Sequence, residues 1–279
     1  MTAATKPIAR RPMPGLLRLS WGRTVVEMKQ FWRNPSQRFF TFLLPVLFLV
    51  IFASVFGDQS VKGPPGQPEL NFRQYFIPGI IASGIMSTTF TNLAMSISME
   101  QSLGTLKRLG GTPLPRSAYF LGKVGMVVTV TTVQTALMLV VGVAFFGVEL
   151  PVDPTHWLVF GWVFVLATAS CSLLGVAFTR LIPNGDAATP MVQLPYLTLQ
   201  FISGVYFRYS DLPSWMHWVA IVFPLKWMAQ GMRYAFVPDW LGPIEYNGWD
   251  LGLVAAALAA WTVVAFVLSF RFFRWNTEA

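Results

Sequence analysis

Over residues 119–146 the chain reads YFLGKVGMVVTVTTVQTALMLVVGVAFF, twenty-eight residues whose only charge is Lys123. A helix of that length is long enough to cross a hydrocarbon core of about 30 Å. A soluble core can hide one such run. This chain repeats it at 39–56, 75–98, 157–179, 187–207 and 249–270. The expected fold is therefore an all-α membrane protein with six transmembrane helices in one domain, 1–279. Composition agrees, with 54% hydrophobic and 11% charged residues, against about 25% charged in ordinary soluble domains.

The charges between the runs give an orientation. Fifteen Lys and Arg residues fall on the side of the two termini and five on the other, while acids divide four to eight. By the positive-inside rule both termini are expected in the cytoplasm of a cell inner membrane. The net charge of +8 is read as this bias and not as a nucleic-acid surface. The first apolar run follows a basic segment much longer than a signal peptide's n-region, so it is expected to remain as a span.

Two segments outside the runs have shapes of their own. Within 17–34, Leu17, Trp21, Val25, Met28 and Trp32 recur at steps of three and four, with Arg18, Lys29 and Arg33 at the edges and Arg23 and Gln30 opposite. This pattern predicts an amphipathic helix lying on membrane lipid. The region 208–248 holds two apolar pieces, 214–223 and 225–236, divided by Pro224. Each is too short to cross alone. Joined, they would form a seventh, kinked span and carry Arg271 and Arg274 outside. Folded back, they form an extracellular re-entrant helical hairpin, which the charge count favours.

Some chemistries lack their residues. No G-x-x-x-x-G-K-[ST] run is available to hold nucleotide phosphates. His156 and His217 have no His or Cys at ligand spacing, so no metal site is expected. No run carries an ionisable residue near its centre, which argues against autonomous proton coupling. Cys171, the one cysteine, lies inside an apolar run and reads as a core residue.

The loop 100–117 is the most distinctive segment. Glu100 precedes Gly104-Thr105, Lys107-Arg108 and Thr112-Pro113, and Gly110-Gly111 breaks the helical stretch before it. Further on, Ser203-Gly204 is followed by Leu212-Pro213 and Pro224-Leu225. Together these motifs resemble the permease subunit of ABC transporters of the type-2 permease family, which includes daunorubicin-resistance-like exporters. The resemblance covers the whole chain, with one departure: Arg208 stands where such permeases often have proline. It implies a non-enzymatic subunit of an exporter of drugs, lipids or lipid-linked glycans, with antibiotic resistance among the family's roles. It also implies a second permease chain, the same or homologous, and two P-loop ATPase subunits that bind ATP and Mg. Glu100, Gly104, Thr105, Lys107, Arg108, Thr112 and Pro113 then fall at the ATPase contact. Ser203, Gly204, Pro213 and Pro224 shape the outer hairpin.

Polar residues inside the runs are the remaining candidates. Thr88, Asn92 and Ser96 share a face of the second, Thr131 and Gln134 lie in the third, and Gln193 and Gln200 share a face of the fifth. Such side chains face protein or a water-filled path rather than lipid. Rival classes are a membrane-embedded lipid- or glycan-modifying enzyme, which needs convergent acid/base groups, and a channel, which conducts without ATP. The orientation is testable by thiol labelling of intact cells on a Cys171→Ala background. Cysteines at Ser36, Ser117 and Thr277 are expected to resist an impermeant reagent, and those at Ser60 and Ser210 to react. Labelling of Thr277 from outside would restore the seventh span.

Overall fold

The computed structural model describes residues 14–57 and 59–272. The first thirteen residues, Arg274 and the Thr277 labelling position lie outside the described residues. The chain is built from helices, in order α1 (Leu16–Arg33), α2 (Pro35–Arg38), α3 (Leu44–Val55), α4 (Phe72–Met86), α5 (Asn92–Ser102), α6 (Thr105–Gly110) and α7 (Arg116–Phe146). Then come α8 (Pro154–Phe178), α9 (Gly185–Ile202), α10 (Ser214–Val222), α11 (Pro224–Phe236), α12 (Leu241–Tyr246) and α13 (Leu251–Phe272). The expected all-helical architecture has one small exception. In the loop after α3, β1 (Ser60–Val61) pairs antiparallel with β2 (Leu70–Asn71).

Among the described residues, five continuous helices are long and apolar enough to cross a bilayer: Pro35–Val55, Phe72–Ser102, Arg116–Phe146, Pro154–Leu181 and Leu251–Arg271. The fifth expected run, 187–207, forms α9, which is not among them. Asp186, Gln193, Gln200, Pro190 and Pro195 dilute its apolar character. Of the five, Phe72–Ser102 is the axis, with 78% of its apolar window buried against 17–44% for the others. The structure packs α7, α8 and α11 against α4, and α9 against α5, while α13 lies along α8.

Two of these spans contain a π-helical turn, at Phe39–Leu43 and Ser87–Thr91. Sequence accounts for both. Pro45 has no N–H to give the Thr41 carbonyl and its ring crowds that carbonyl, which widens the turn. In the second, Thr88 and Thr89 donate their hydroxyls back to the carbonyls of Gly84 and Ile85 at 2.9 and 2.6 Å, competing with the backbone ladder. The turns are neighbours, joined by the Asn92 Nδ2 bond to Thr41 Oγ1 at 3.3 Å.

The N-terminal helix differs from expectation in its surroundings. Its apolar stripe is outward, with Leu17 and Trp21 exposed, as a lipid-facing surface requires. The face a quarter turn away from that stripe is buried. Ser20, Thr24, Glu27 and Phe31, spaced four, three and four, are buried against α7. Gly122 and Gly125 of α7 permit this approach. A Cβ at Gly122 would overlap the Arg23 stem, and one at Gly125 would lie 2.6 Å from Thr24 Oγ1. Thr24 Oγ1 donates to the Gly122 carbonyl at 3.2 Å.

Within 208–248 the two apolar pieces form separate helices, α10 and α11, instead of one continuous kinked helix. Phe223 is extended (φ −99°, ψ 150°) and Pro224 opens α11. α10 exposes Trp215, Trp218, Ile221 and Val222, whereas α11 is buried almost throughout, between α4, α8 and α13.

Gly122→Leu is expected to pry α1 from α7. Overpacking of this kind costs about 1–3 kcal/mol. A cysteine at Thr24, unreactive in an otherwise unaltered chain, should then react with a small thiol reagent about tenfold faster. Unchanged reactivity would show that α1 does not depend on this contact.

Candidate coupling junction and membrane path

Where α1, α5 and α7 meet, four charges are held together inside the protein. Lys123 is 1% exposed. Its ammonium reaches Glu100 Oε1 at 2.7 Å, Ser96 Oγ at 2.9 Å and Glu27 Oε2 at 3.0 Å. Arg23 pairs with Glu27, one helical turn away, and lies 3.5 Å from Glu100. Tyr119 donates its hydroxyl to Glu100 Oε2 at 2.6 Å, and its ring lies 5.1 Å from the Arg23 guanidinium and 5.5 Å from the Lys123 ammonium. Two cations and two carboxylates balance. That balance is what allows charges to be buried, since an unpaired one costs several kcal/mol.

Three acceptors turn Lys123 inward, toward α1 and α5. Arg23 likewise faces the protein and not lipid. The missed member is Glu27. Its signal was present in the sequence as an acid on a basic helix, on the same face as Ser20, Thr24 and Phe31.

The loop motif is divided by this arrangement. Glu100 lies in the last turn of α5 and points into the junction, whereas Lys107 and Arg108 lie on α6, so the three are not on one short helix. Gly104, at φ +67°, makes the break; a side chain is strained in that left-handed region. Leu106 anchors α6 by burial, while Lys107, Arg108, Thr112 and Pro113 are exposed and Thr105 is half-buried. The helix stops at Gly110, and Thr112 caps it by donating to the Leu109 carbonyl at 2.7 Å.

A second set of polar groups follows the central span. Thr131 Oγ1 donates to Thr88 Oγ1 at 2.9 Å, and both are buried. Gln134, 1% exposed, has neither amide atom hydrogen-bonded and lies over Gly84, where a Cβ would be 2.9 Å from Nε2. Asn92 bridges to Thr41, and Ser96 belongs to the junction. On α9, Gln200 is buried and accepts from the Tyr206 hydroxyl, while Gln193 is half-buried. The candidates thus divide into a line along the central span and a separate pair on α9.

The opposite end of the bundle is also organised by charge. Arg233, fully buried, donates to the carbonyls of Gly204 at 2.6 Å and Tyr75 at 3.2 Å and to the Tyr246 hydroxyl at 2.7 Å. Its guanidinium lies 4.0 Å from the Tyr75 ring centre. Gly204 takes φ +70° to present that carbonyl. Ser203 is buried beside it with its hydroxyl unpaired, and Pro213 and Pro224 stand at the starts of α10 and α11. Arg208 has a purpose of its own: its Nε donates to Glu245 Oε1 at 2.7 Å. Burial lowers the Arg208 pKa, but Glu245 outweighs it and the net shift is upward. Among the described residues, Lys226 faces no carboxylate within ion-pair distance. It donates to Gln230 at 2.6 Å and lies over Trp227 at 3.6 Å, and burial pushes its pKa down to about 8.

With this geometry in view, the family match is informative. The ABC-2 type transporter family matches residues 23–237, which includes the junction, the α6 loop and most of the outer cluster. The inner membrane transport permease YadH of Escherichia coli K12 is 23% identical over 235 residues, 80% of this chain and 86% of that protein. The protein ycf38 of Porphyra purpurea is 24% identical over 215 residues, 76% and 72% of the two chains. ABC transporter G family member 41 of Oryza sativa is 24% identical over 207 residues, which are 71% of this chain and 14% of that longer protein.

The junction predicts a non-additive pair of substitutions. Lys123→Met leaves Glu27 and Glu100 sharing Arg23 and is expected to destabilise the chain by about 3 kcal/mol or more. Adding Glu100→Gln restores neutrality, so the double variant should be more stable than Lys123→Met alone, measured by thermal denaturation in detergent. Additive losses would mean that the four charges do not act as one unit.

Proposed function

We propose that this chain, which belongs to the ABC-2 type transporter family, is one half of the membrane domain of an ATP-driven exporter. The coarser statement follows from membership: it is a membrane transport subunit of an ABC transporter, a family that works with an ABC ATPase subunit. The finer reading is that two permease chains enclose a path, two cytoplasmic ATPases bind ATP and Mg, and an amphipathic drug, lipid or lipid-linked glycan leaves the cell.

The observation that carries this reading is the four-charge junction beside an exposed basic helix. Lys107 and Arg108 on α6 offer an acidic surface of an ATPase something to grip. Force applied to α6 passes through the short Leu103-Gly104 step to α5. There Glu100 is tied to Lys123 of α7 and to Arg23 of α1. Three helices would then move as a unit, and the central span would carry the motion to Thr88, Thr131 and Gln134. The neighbouring π-helical turns lie on that route, and such turns are frequent at functional sites.

In this reading α9 is a span too, the fifth of six in chain order. Its eighteen residues rise about 27 Å. At its start a Cβ on Gly185 would touch Ser102, at one end of the central span. Beyond its end the Gly204 carbonyl shares Arg233 with the Tyr75 carbonyl, near the other end. α10 and α11 are the re-entrant hairpin at the outer end, α10 offering its apolar face to lipid, and both termini are cytoplasmic.

Lys107→Glu/Arg108→Glu tests the contact without touching the junction, because both side chains are exposed. Co-purification of the ATPase, or substrate-stimulated ATP hydrolysis by the complex, is expected to fall at least tenfold, since wrong-sign charges at an interface cost several kcal/mol. Thermal stability of the permease should not change. An assembled complex with normal turnover would remove α6 from the ATPase contact.

A further inference from the structure

At the end of the bundle that carries the junction, the last turns of α8 and α13 leave a half-open crevice of about 720 Å³ between them. That volume lies within the roughly 300–1,000 Å³ typical of small-ligand sites. Its walls are apolar, with Leu174, Phe178, Leu181 and Leu268 among them, and two arginines, Arg180 and Arg271, stand at the rim. Each arginine belongs to the last turn of its own span. Both are exposed, and among the described residues neither has an ion-pair or hydrogen-bond partner. No acid lines the crevice.

We infer that this crevice binds an anionic phospholipid, with an acyl chain against the apolar walls and the phosphate between Arg180 and Arg271. Three features favour that occupant. First, an apolar slot continuous with a membrane-facing helix pair suits a hydrocarbon chain, while a soluble anion would gain nothing from it. Second, two cations at the level where spans end meet the headgroup region, and basic pockets between spans select anionic lipids. The two helix C-termini oppose an anion with about half a charge each, less than the two full charges of the arginines. Third, the slot is held in register: Ser269 Oγ of α13 donates to the Leu173 carbonyl of α8 at 2.8 Å, at the crevice's edge. The inference rests on reading α8 and α13 as membrane spans and is independent of ATP-driven export.

The test uses the full chain in nanodiscs, with lipid retained after extraction counted by native mass spectrometry. Phosphatidylglycerol is expected to be retained and to raise the melting temperature. Phosphatidylcholine and millimolar inorganic phosphate are not. Arg180→Gln/Arg271→Gln should weaken phosphatidylglycerol binding about thirtyfold, from the loss of two cations near the surface. Arg180→Lys/Arg271→Lys should keep most of it, which separates charge from misfolding. Leu174→Trp, which fills the slot with both arginines intact, should also lose the lipid. Equal retention by the Gln pair would overturn the proposal, as would equal stabilisation by free phosphate. A gain in lipid on removing residues 273–279 would also overturn it, by showing that the chain's own end occupies the crevice.

Discussion

A lysine ammonium that is 1% exposed must be neutralised where it stands, and much of this structure follows from how Lys123 achieves that. Its carboxylate partners come from two other helices, Glu27 of α1 and Glu100 of α5. Arg23 then balances the second carboxylate. Holding four charges at these distances fixes the height of α1 on α7 and the point at which the central span ends. It also explains why α7 carries glycine at 122, since the Arg23 stem fills the space of a side chain there. The opposite end obeys the same rule with different partners. Arg233 is surrounded by two carbonyls, a phenol hydroxyl and an aromatic face, while Glu245 takes Arg208. Between the two ends the protein interior is apolar apart from short hydroxyl and amide contacts.

On the proposed reading, that division of labour suits a transporter whose ends are specific and whose middle shifts. Charged clusters lock helices together with high positional demands. The Thr88–Thr131 contact and the unpaired Gln134 amide impose less. Weak interhelical hydrogen bonds in membranes are worth about 0.6 kcal/mol on average, little enough to be exchanged during a movement.

Hydropathy alone made most of the helical framework legible, because a bilayer forbids unpaired backbone and so converts long apolar runs into helices. It extended less well to ends, where α5 runs on to Ser102 and α7 begins at Arg116, since charged residues at interfaces do not stop a helix. α9 shows the converse limit: buried Gln200, half-buried Gln193 and the exposed Pro190 and Pro195 lower the apolar signal of a helix lying beside the central span. Of the candidate site, the exposed basic α6 and its glycine stop were readable from local sequence. The junction was not. Glu27 and Lys123 are 96 residues apart, and neither marks itself as buried until the helices are brought together. Arg208 is a related case, intelligible only once Glu245 stands opposite.

The meeting of Arg23 with Gly122 also bears on how such a sequence can drift. Any side chain gained at 122 needs a smaller residue at 23, and a smaller, uncharged residue at 23 removes a counter-charge from Glu27 and Glu100. Neither position has a free first step, so a lineage must change both, and the acids with them, to leave this arrangement. Relatives at about 23% identity have replaced most of their residues. Against that turnover, a set of positions that can only move together works as an anchor in sequence space, and paired variation of 23, 27, 100, 122 and 123 is the trace it would leave.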